Sequence, residues 1–414
     1  MNSELSISAL LRSYRNGTET PRRVLTGLLR ACADAPAGIW ISRISEAQLE
    51  EFLARLEKSS PEALPLYGIP FAVKDNIDVA GLPTTVACPD YLYRPERSAR
   101  VVELLVEAGA VPLGKTNMDQ FATGLVGVRS PYGAAPNRLA PGYVSGGSSS
   151  GSAAALAYGL CSFSLGTDTA GSGRVPAAFN ELVGVKPSRG VLSCRGVVPA
   201  CRSLDCVSLF ARSLEDADIL LKMTAQFDPE DAYSRVLPER APLPIRWKFG
   251  VPRDEDLEFF GCTAYQEAFQ RAVTRMEDAG GEKVTIDFSP FLAAARLLYE
   301  GPWVFERYAA VGEFIERHPE SVLPVIRSII TPSATPHPAE VFRAMYRLQE
   351  CRAAAEAQFA GVDLLLTPTA GTIYRIEEVE ADPIRLNSNL GYYTNYMNLL
   401  DFAALAIPAG RAAG

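Results

Sequence analysis

The stretch Ser145-Gly-Gly-Ser-Ser-Ser-Gly-Ser152 runs directly into Ala153-Ala-Ala-Leu-Ala157, which favours a helix, and then into the apolar residues 161–165. A second turn of small residues, Gly166-Thr-Asp-Thr-Ala-Gly-Ser-Gly-Arg174, follows at once. A short apolar run between two turns is typical of a buried strand, so this order predicts a helix and a strand packed together in a core. A flexible glycine–serine linker would not continue into such a unit.

Strand-like and helix-like segments alternate over the rest of the chain. Apolar residues recur at helical spacing through residues 1–60. Strands are predicted at 66–76, 111–114, 161–167, 182–186, 246–251, 283–288 and 362–366, and helices at 96–110, 214–225, 263–279, 290–315 and 339–360. This alternation predicts an α/β fold, a mixed central β-sheet covered by helices on both faces. No repeat or linker divides the chain, so we expect a single domain over 1–414, with a helical part at 1–60, a core at 66–213 and a helix-rich part at 214–414.

The composition excludes several classes of function. The chain of 414 residues has a formal net charge of −8, so no basic surface is expected for a nucleic acid partner. No window of about 18 uninterrupted apolar residues occurs, which argues against a membrane partner. The eight cysteines are sparse and form no Cys-x-x-Cys pair, as in the reduced thiols of a cytoplasmic protein. With two histidines in total, a multi-histidine metal site is excluded by count.

Two serine-bearing turns offer a nucleophile. Gly147-Ser-Ser-Ser-Gly151 fits the G-x-S-x-G pattern of α/β-hydrolases, in which Ser149 would act together with a histidine. That histidine would have to be His318 or His337, each of which precedes a proline in a polar segment. In the second turn, Ser172 is flanked by small residues whose backbone N–H groups can stabilise an oxyanion. The residues alone leave both serines open, whereas a phosphate loop is disfavoured because neither turn ends in Gly-Lys-Ser/Thr.

Both turns, together with Gly184-Val-Lys-Pro-Ser-Arg-Gly190, resemble the motifs of the amidase signature family. The resemblance implies a Ser–Ser–Lys triad in place of a histidine. Ser172 matches the nucleophile, Ser148 the bridging serine and Lys74 the base. A lysine is a useful base at neutral pH only if its pKa falls well below about 10.4, and burial among apolar neighbours would lower it.

The same resemblance carries expectations about backbone geometry, cofactors and assembly. It implies a cis peptide bond between Gly147 and Ser148. The implied oxyanion hole consists of the backbone N–H groups of Thr169, Ala170, Gly171 and Ser172. No cofactor and no metal is implied, and the family suggests a homodimer.

Four further segments resemble one group within that family, the allophanate hydrolases: 121–127, 174–180, 193–206 and 298–308. The implied substrate is allophanate, a small carboxylated urea. A planar guanidinium can hold a carboxylate by two parallel hydrogen bonds, which suits an arginine to this substrate. The residues implied to hold substrate are Gly124, through its backbone, Tyr299 and Arg307.

Other interpretations stay open. One is a different small amide, including an amide whose ammonia passes to a partner protein. Another is a binding protein without catalysis, against which the intact positions Lys74, Ser148 and Ser172 argue. Full-length allophanate hydrolases carry a further C-terminal domain, whereas residues 404–414 resemble the late part of the amidase domain itself. We therefore expect this chain to release ammonia without completing the decarboxylation of its first product efficiently.

Overall fold

The fold is described by a computed structural model for residues 5–239, 242, 244–331 and 337–412. The strands are β1 Trp40–Arg43, β2 Pro70–Lys74, β3 Val111–Thr116, β4 Phe163–Asp168, β5 Val183–Lys186, β6 Cys206–Ala211, β7 Lys248–Pro252, β8 Glu282–Ile286, β9 Leu364–Leu365 and β10 Ala404–Ala406. The helices are α1 Ile7–Arg15, α2 Pro21–Ala33, α3 Glu46–Leu56, α4 Arg100–Glu107, α5 Ser150–Ala157, α6 Val175–Phe179, α7 Leu214–Thr224, α8 Thr263–Asp278, α9 Ser289–Glu300, α10 Trp303–Arg317, α11 Pro324–Ile330, α12 Pro338–Phe359, α13 Ile376–Ala381, α14 Arg385–Leu390 and α15 Asn395–Leu399.

The strands form two sheets. The larger has seven strands in the order β1-β3-β2-β4-β6-β5-β10, and the smaller has three in the order β8-β7-β9. In the large sheet, β2 pairs in parallel with β3 and β4, while the remaining neighbours are antiparallel. The small sheet is parallel throughout. The predicted α/β fold with a mixed sheet is therefore confirmed.

The centre of the large sheet is covered on both faces. Strands β2 to β6 are buried at every position, which fits their continuous apolar runs. Helix α5 packs against β2, β3, β4 and β6, and all eight of its residues are buried. Its small side chains permit this close approach, because a Cβ at Gly151 would lie 2.5 Å from backbone atoms of Ile39 and Asn117.

The structure differs from the predicted elements in three places. Residues 1–60 are not helical throughout, because Trp40–Arg43 forms the edge strand β1. The predicted helix 290–315 is two helices, since Gly301 ends α9 and Pro302, which has no backbone N–H to donate, starts α10. Strand β6 was not predicted, although it lies between β4 and β5 in the sheet.

Two expectations from the composition can be compared with the structure. All eight cysteines are unpaired, and six of them are buried. Across the described residues, no helix combines the length and the apolar character needed to cross a bilayer.

Candidate active site

Three chain segments converge at one edge of the large sheet. Strands β2 and β4 are parallel neighbours, so their carboxyl ends lie side by side. The last residue of β2 is Lys74 and the last of β4 is Asp168. Ser148 lies just before α5, the helix that packs on both strands. Open α/β sheets bind ligands at the carboxyl ends of their strands, which makes this edge the candidate active site.

Lys74 is completely buried at this edge. Its Nζ lies 2.8 Å from Ser148 Oγ and 2.8 Å from Thr167 Oγ1. Burial lowers the pKa of Lys74 to about 7, although the nearby carboxylates act in the opposite direction. A large fraction of the amine is therefore neutral at physiological pH, and a neutral amine can accept a proton from a hydroxyl group.

Backbone contacts with Asp119 position Ser148. The Gly147–Ser148 peptide bond is cis, as the family resemblance implied. The backbone N–H of Asp119 donates to the carbonyl of Ser148 over 3.1 Å, and a Cβ at Gly147 would collide with the Asp119 carboxylate. Only glycine therefore fits at position 147.

The turn that carries Ser172 is built around the carboxylate of Asp168. This carboxylate accepts hydrogen bonds from the backbone N–H of Gly171 at 2.8 Å and of Gly173 at 3.0 Å, and a bidentate pair from Arg174. Burial alone would raise the pKa of Asp168, but the pairing with Arg174 outweighs it and holds that pKa below its ordinary value. The turn is thus wrapped around an ionised carboxylate.

This wrapping decides which backbone N–H groups remain available. The sequence assigned Gly171 to the oxyanion hole, but its N–H donates to Asp168 instead. The N–H groups of Thr169, Ala170 and Ser172 have no hydrogen-bond partner within the described part of the chain. The structure places Ser172 buried on the same turn, and among the described residues its hydroxyl makes no hydrogen bond to Ser148 or to any other group.

The residues assigned to substrate lie together on another wall. Arg307 of α10 is buried, with Nη1 3.1 Å from Thr123 Oγ1 and its guanidinium carbon 5.8 Å from the centre of the Tyr299 ring. Gly124 follows Thr123 and is also buried. Arg307 Nε has no partner, and no carboxylate within the described ranges pairs with this guanidinium. A buried cation without a counter-ion is costly, so this wall suits an anionic ligand.

The alternative pair of Ser149 and a histidine is not formed. The Ser149 hydroxyl donates to the carbonyl of Thr167 over 3.1 Å. His318 is exposed at the end of α10, and exposed His337 caps α12 by accepting a hydrogen bond from Ala339 N–H. Neither histidine contacts Ser149 in the described residues, so the geometry favours Lys74 as the base.

Sequence reasoning overlooked two polar side chains at this site. Thr167 lies within the second turn and faces Lys74, which the parallel pairing of β2 with β4 could have indicated. Asp205 accepts a hydrogen bond from the Thr169 hydroxyl at 2.5 Å. No local pattern marks Asp205, because it reaches the turn only through the pairing of β4 with β6.

Comparison with known proteins adds to this geometry. A sequence model described as Amidase matches residues 24–414. The urea amidolyase of Lachancea kluyveri is 47% identical over 406 residues, which cover 95% of this chain and 22% of that protein. The solved structure of Kluyveromyces lactis allophanate hydrolase superposes with a TM-score of 0.93 at 45% identity, covering 98% of this chain and 68% of that one.

A more distant relative has a different description. The glutamyl-tRNA(Gln) amidotransferase of Carboxydothermus hydrogenoformans has one component that is 33% identical over 396 residues, or 88% of this chain and 80% of that protein. The chain spans about a fifth of the length of the urea amidolyases that it matches. The family model covers nearly the whole sequence, and the motifs around Lys74, Ser148 and Ser172 lie inside it. The chain belongs to the amidase family.

Proposed function

We propose that this protein hydrolyses allophanate and releases ammonia. The similarity to allophanate hydrolase and to urea amidolyases supports this substrate. The observation that carries the proposal is Arg307, a buried guanidinium without a carboxylate partner in the described structure, on the wall beside the Lys74–Ser148 pair. A substrate carboxylate would supply the missing counter-charge.

The proposed mechanism uses Lys74, Ser148 and Ser172 in sequence. Neutral Lys74 takes the proton of Ser148, which in turn takes the proton of Ser172, and Ser172 Oγ forms a bond to the amide carbon. The N–H groups of Thr169, Ala170 and Ser172, which have no other partner in the described structure, would stabilise the oxyanion. The proton returns along the same relay to the leaving nitrogen, so ammonia departs, and water then hydrolyses the acyl-enzyme.

Substrate selection in this proposal depends on charge and shape. Arg307 would bind the carboxylate, with Tyr299 and the backbone at Gly124 completing the pocket. A neutral amide would leave the buried guanidinium unpaired, so its binding would be weaker than that of a carboxylated urea. The pocket thereby separates allophanate from simple amides.

An assay of ammonia release tests the substrate directly. Fresh allophanate, malonamate, biuret, glutamine and a simple aliphatic amide would be compared at equal concentration. We expect turnover of allophanate and of the carboxylated analogue malonamate, with the other amides close to background. Preferred turnover of neutral amides or of glutamine would overturn the substrate assignment, and glutamine in particular would favour supply of ammonia to a partner.

Replacing Arg307 by glutamine tests how the carboxylate is recognised. Loss of charged hydrogen bonds worth about 1.5–3 kcal/mol each should lower kcat/KM for allophanate by about 100-fold or more, and that for a neutral amide by only a few-fold. Arg317→Gln, an exposed position on the same helix, serves as the control. An equal loss on charged and neutral substrates would contradict the assigned role.

Location, domain organisation and assembly belong to the same proposal. The eight unpaired cysteines support a reducing compartment, which we take to be the cytoplasm. We propose one catalytic domain that forms a homodimer. An exposed apolar strip on α12, formed by Phe342, Met345 and Tyr346 at helical spacing, supports a contact surface.

The dimer can be tested by light scattering after gel filtration. We expect a mass of twice the 44.7 kDa of one chain, and a mass near 44.7 kDa for Phe342→Asp. Replacing an apolar residue by a charge removes buried apolar surface and leaves the charge without a partner, which opposes association. A single-chain mass for the unaltered protein would contradict the dimer, and a dimer that survives Phe342→Asp would contradict this surface.

A further inference from the structure

The peptide group between Asp168 and Thr169 has a defined orientation. Its carbonyl oxygen accepts a hydrogen bond from Asn398 Nδ2 at 2.7 Å. In a trans peptide the N–H points away from the carbonyl, so the N–H of Thr169 points to the opposite side. That N–H is one of the groups without a partner in the described chain.

Asp205 holds the same residue from its side chain. The Thr169 hydroxyl donates to Asp205 Oδ1 at 2.5 Å, and the Asp205 carboxylate also accepts from the backbone N–H of Ala200 at 2.8 Å and of Cys201 at 3.2 Å. Asp205 is buried, which raises its pKa to about 6. It therefore remains mostly ionised at neutral pH, and an ionised carboxylate accepts all three hydrogen bonds.

The chain around Asp205 is itself fixed to α10. The backbone N–H and the hydroxyl of Ser203 donate to Glu306 at 2.7 and 2.6 Å, and Cys201 Sγ lies 3.5 Å from the carbonyl of Trp303. Both contacts lie within the first turns of the helix that carries Arg307. The carboxylate therefore extends from a rigid support that also adjoins the wall proposed to bind the substrate carboxylate.

We infer that Asp205 is a positioning residue for the reaction, because it holds Thr169 so that the backbone N–H groups of the turn face the developing oxyanion. This inference rests on the proposed function. Asp205 acts through Thr169 and touches no reacting atom. Its negative charge has a second effect, since together with those of Asp119 and Asp168 it raises the pKa of Lys74, against burial and the charge of Arg307.

Two variants remove the same hydrogen bond from its two ends. Thr169→Val keeps the backbone N–H and the shape but loses the hydroxyl, and Asp205→Asn loses the charge and turns an amide towards the N–H donors of Ala200 and Cys201. Because deletion of an oxyanion donor lowers kcat by about 100- to 1000-fold, misplacement should lower kcat by about 10-fold in Thr169→Val and about 100-fold in Asp205→Asn, with KM within about two-fold. Asp216→Asn is the matched control, a buried carboxylate that accepts the Ile7 N–H away from this edge.

The pH profile separates positioning from a general loss of structure. Activity needs neutral Lys74, so kcat rises with pH through the pKa of that residue. In Asp205→Asn the carboxylate no longer raises this pKa, and the rise should move to lower pH, while in Thr169→Val and Asp216→Asn it should stay in place. If Asp205→Asn does not fold, Thr169→Val still tests the hydrogen bond.

The outcomes distinguish this inference from the proposed function. Full kcat in both Thr169→Val and Asp205→Asn, in a protein whose activity depends on Ser172, would overturn the role of Asp205 alone. A loss in both variants that appears in KM and leaves the pH profile unchanged would also overturn it. Activity that survives Ser172→Ala would instead overturn the proposed function.

Discussion

Ser172→Ala should release no ammonia from allophanate above background, a loss of kcat of about 10⁴-fold or more. The reason is chemical, because alanine has no atom that can form the acyl-enzyme, and the relay from Lys74 through Ser148 then has no nucleophile to activate. The side chain is small and its hydroxyl makes no hydrogen bond in the described structure, so the substitution should leave the fold intact. The measurement is ammonia release under single-turnover and steady-state conditions.

Ser149→Ala is the matched control for this experiment. Ser149 is a buried serine of the neighbouring turn, and its hydroxyl donates to the backbone of Thr167. We expect it to lose less than about 10-fold in kcat, because it removes one neutral hydrogen bond of about 1 kcal/mol. A serine-directed acylating probe should label the wild-type chain and Ser149→Ala, but not Ser172→Ala. Activity that survives in Ser172→Ala and disappears in Ser149→Ala would assign the nucleophile to Ser149.

Lys74→Met should lower kcat by about 10³-fold or more, because no other group in the relay can accept the proton. The wild-type kcat should rise with pH around a midpoint near 7, since burial lowers the pKa of Lys74 to about 7 and only the neutral amine is active. The residual rate of Lys74→Met should lack this rise. Lys74→Arg should be equally inactive, because a guanidinium keeps its proton at this pH. Substantial activity in Lys74→Arg would contradict the base assignment.

Stability provides the folding control for the lysine variant. The pKa of Lys74 is about 7 in the folded chain, while an unfolded lysine has a pKa near 10.4, so between these values the unfolded state binds the extra proton. Lys74 therefore lowers the free energy of unfolding as pH falls from about 10 to 7. Lys74→Met removes this cost, and at pH 7 we expect its Tm to equal or exceed that of the wild-type chain. An inactive variant with a raised Tm would separate loss of catalysis from loss of fold.

The central α/β unit was predictable from local pattern. The apolar run before the second turn is β4, the alanine-rich run is α5, and the run that ends at Lys74 is β2. Each of these is buried on both faces, so its composition alone distinguishes it from a surface segment. Strand β1 was hidden inside a helical pattern, because a strand of four residues at a sheet edge carries too few apolar positions to show its period.

Sequence by itself determined the class of fold, the family and the candidate triad, because these depend on short motifs in which neighbouring residues act together. Only the tertiary structure decided which groups surround them. Asn398 reaches the peptide of Asp168 across 230 residues, and Arg307 reaches Thr123 across 184. It also decided that the Gly171 N–H is occupied by Asp168 and that Lys74 is buried deeply enough for its pKa to fall. Burial and long-range pairing arise when distant segments pack, so no local pattern contains them.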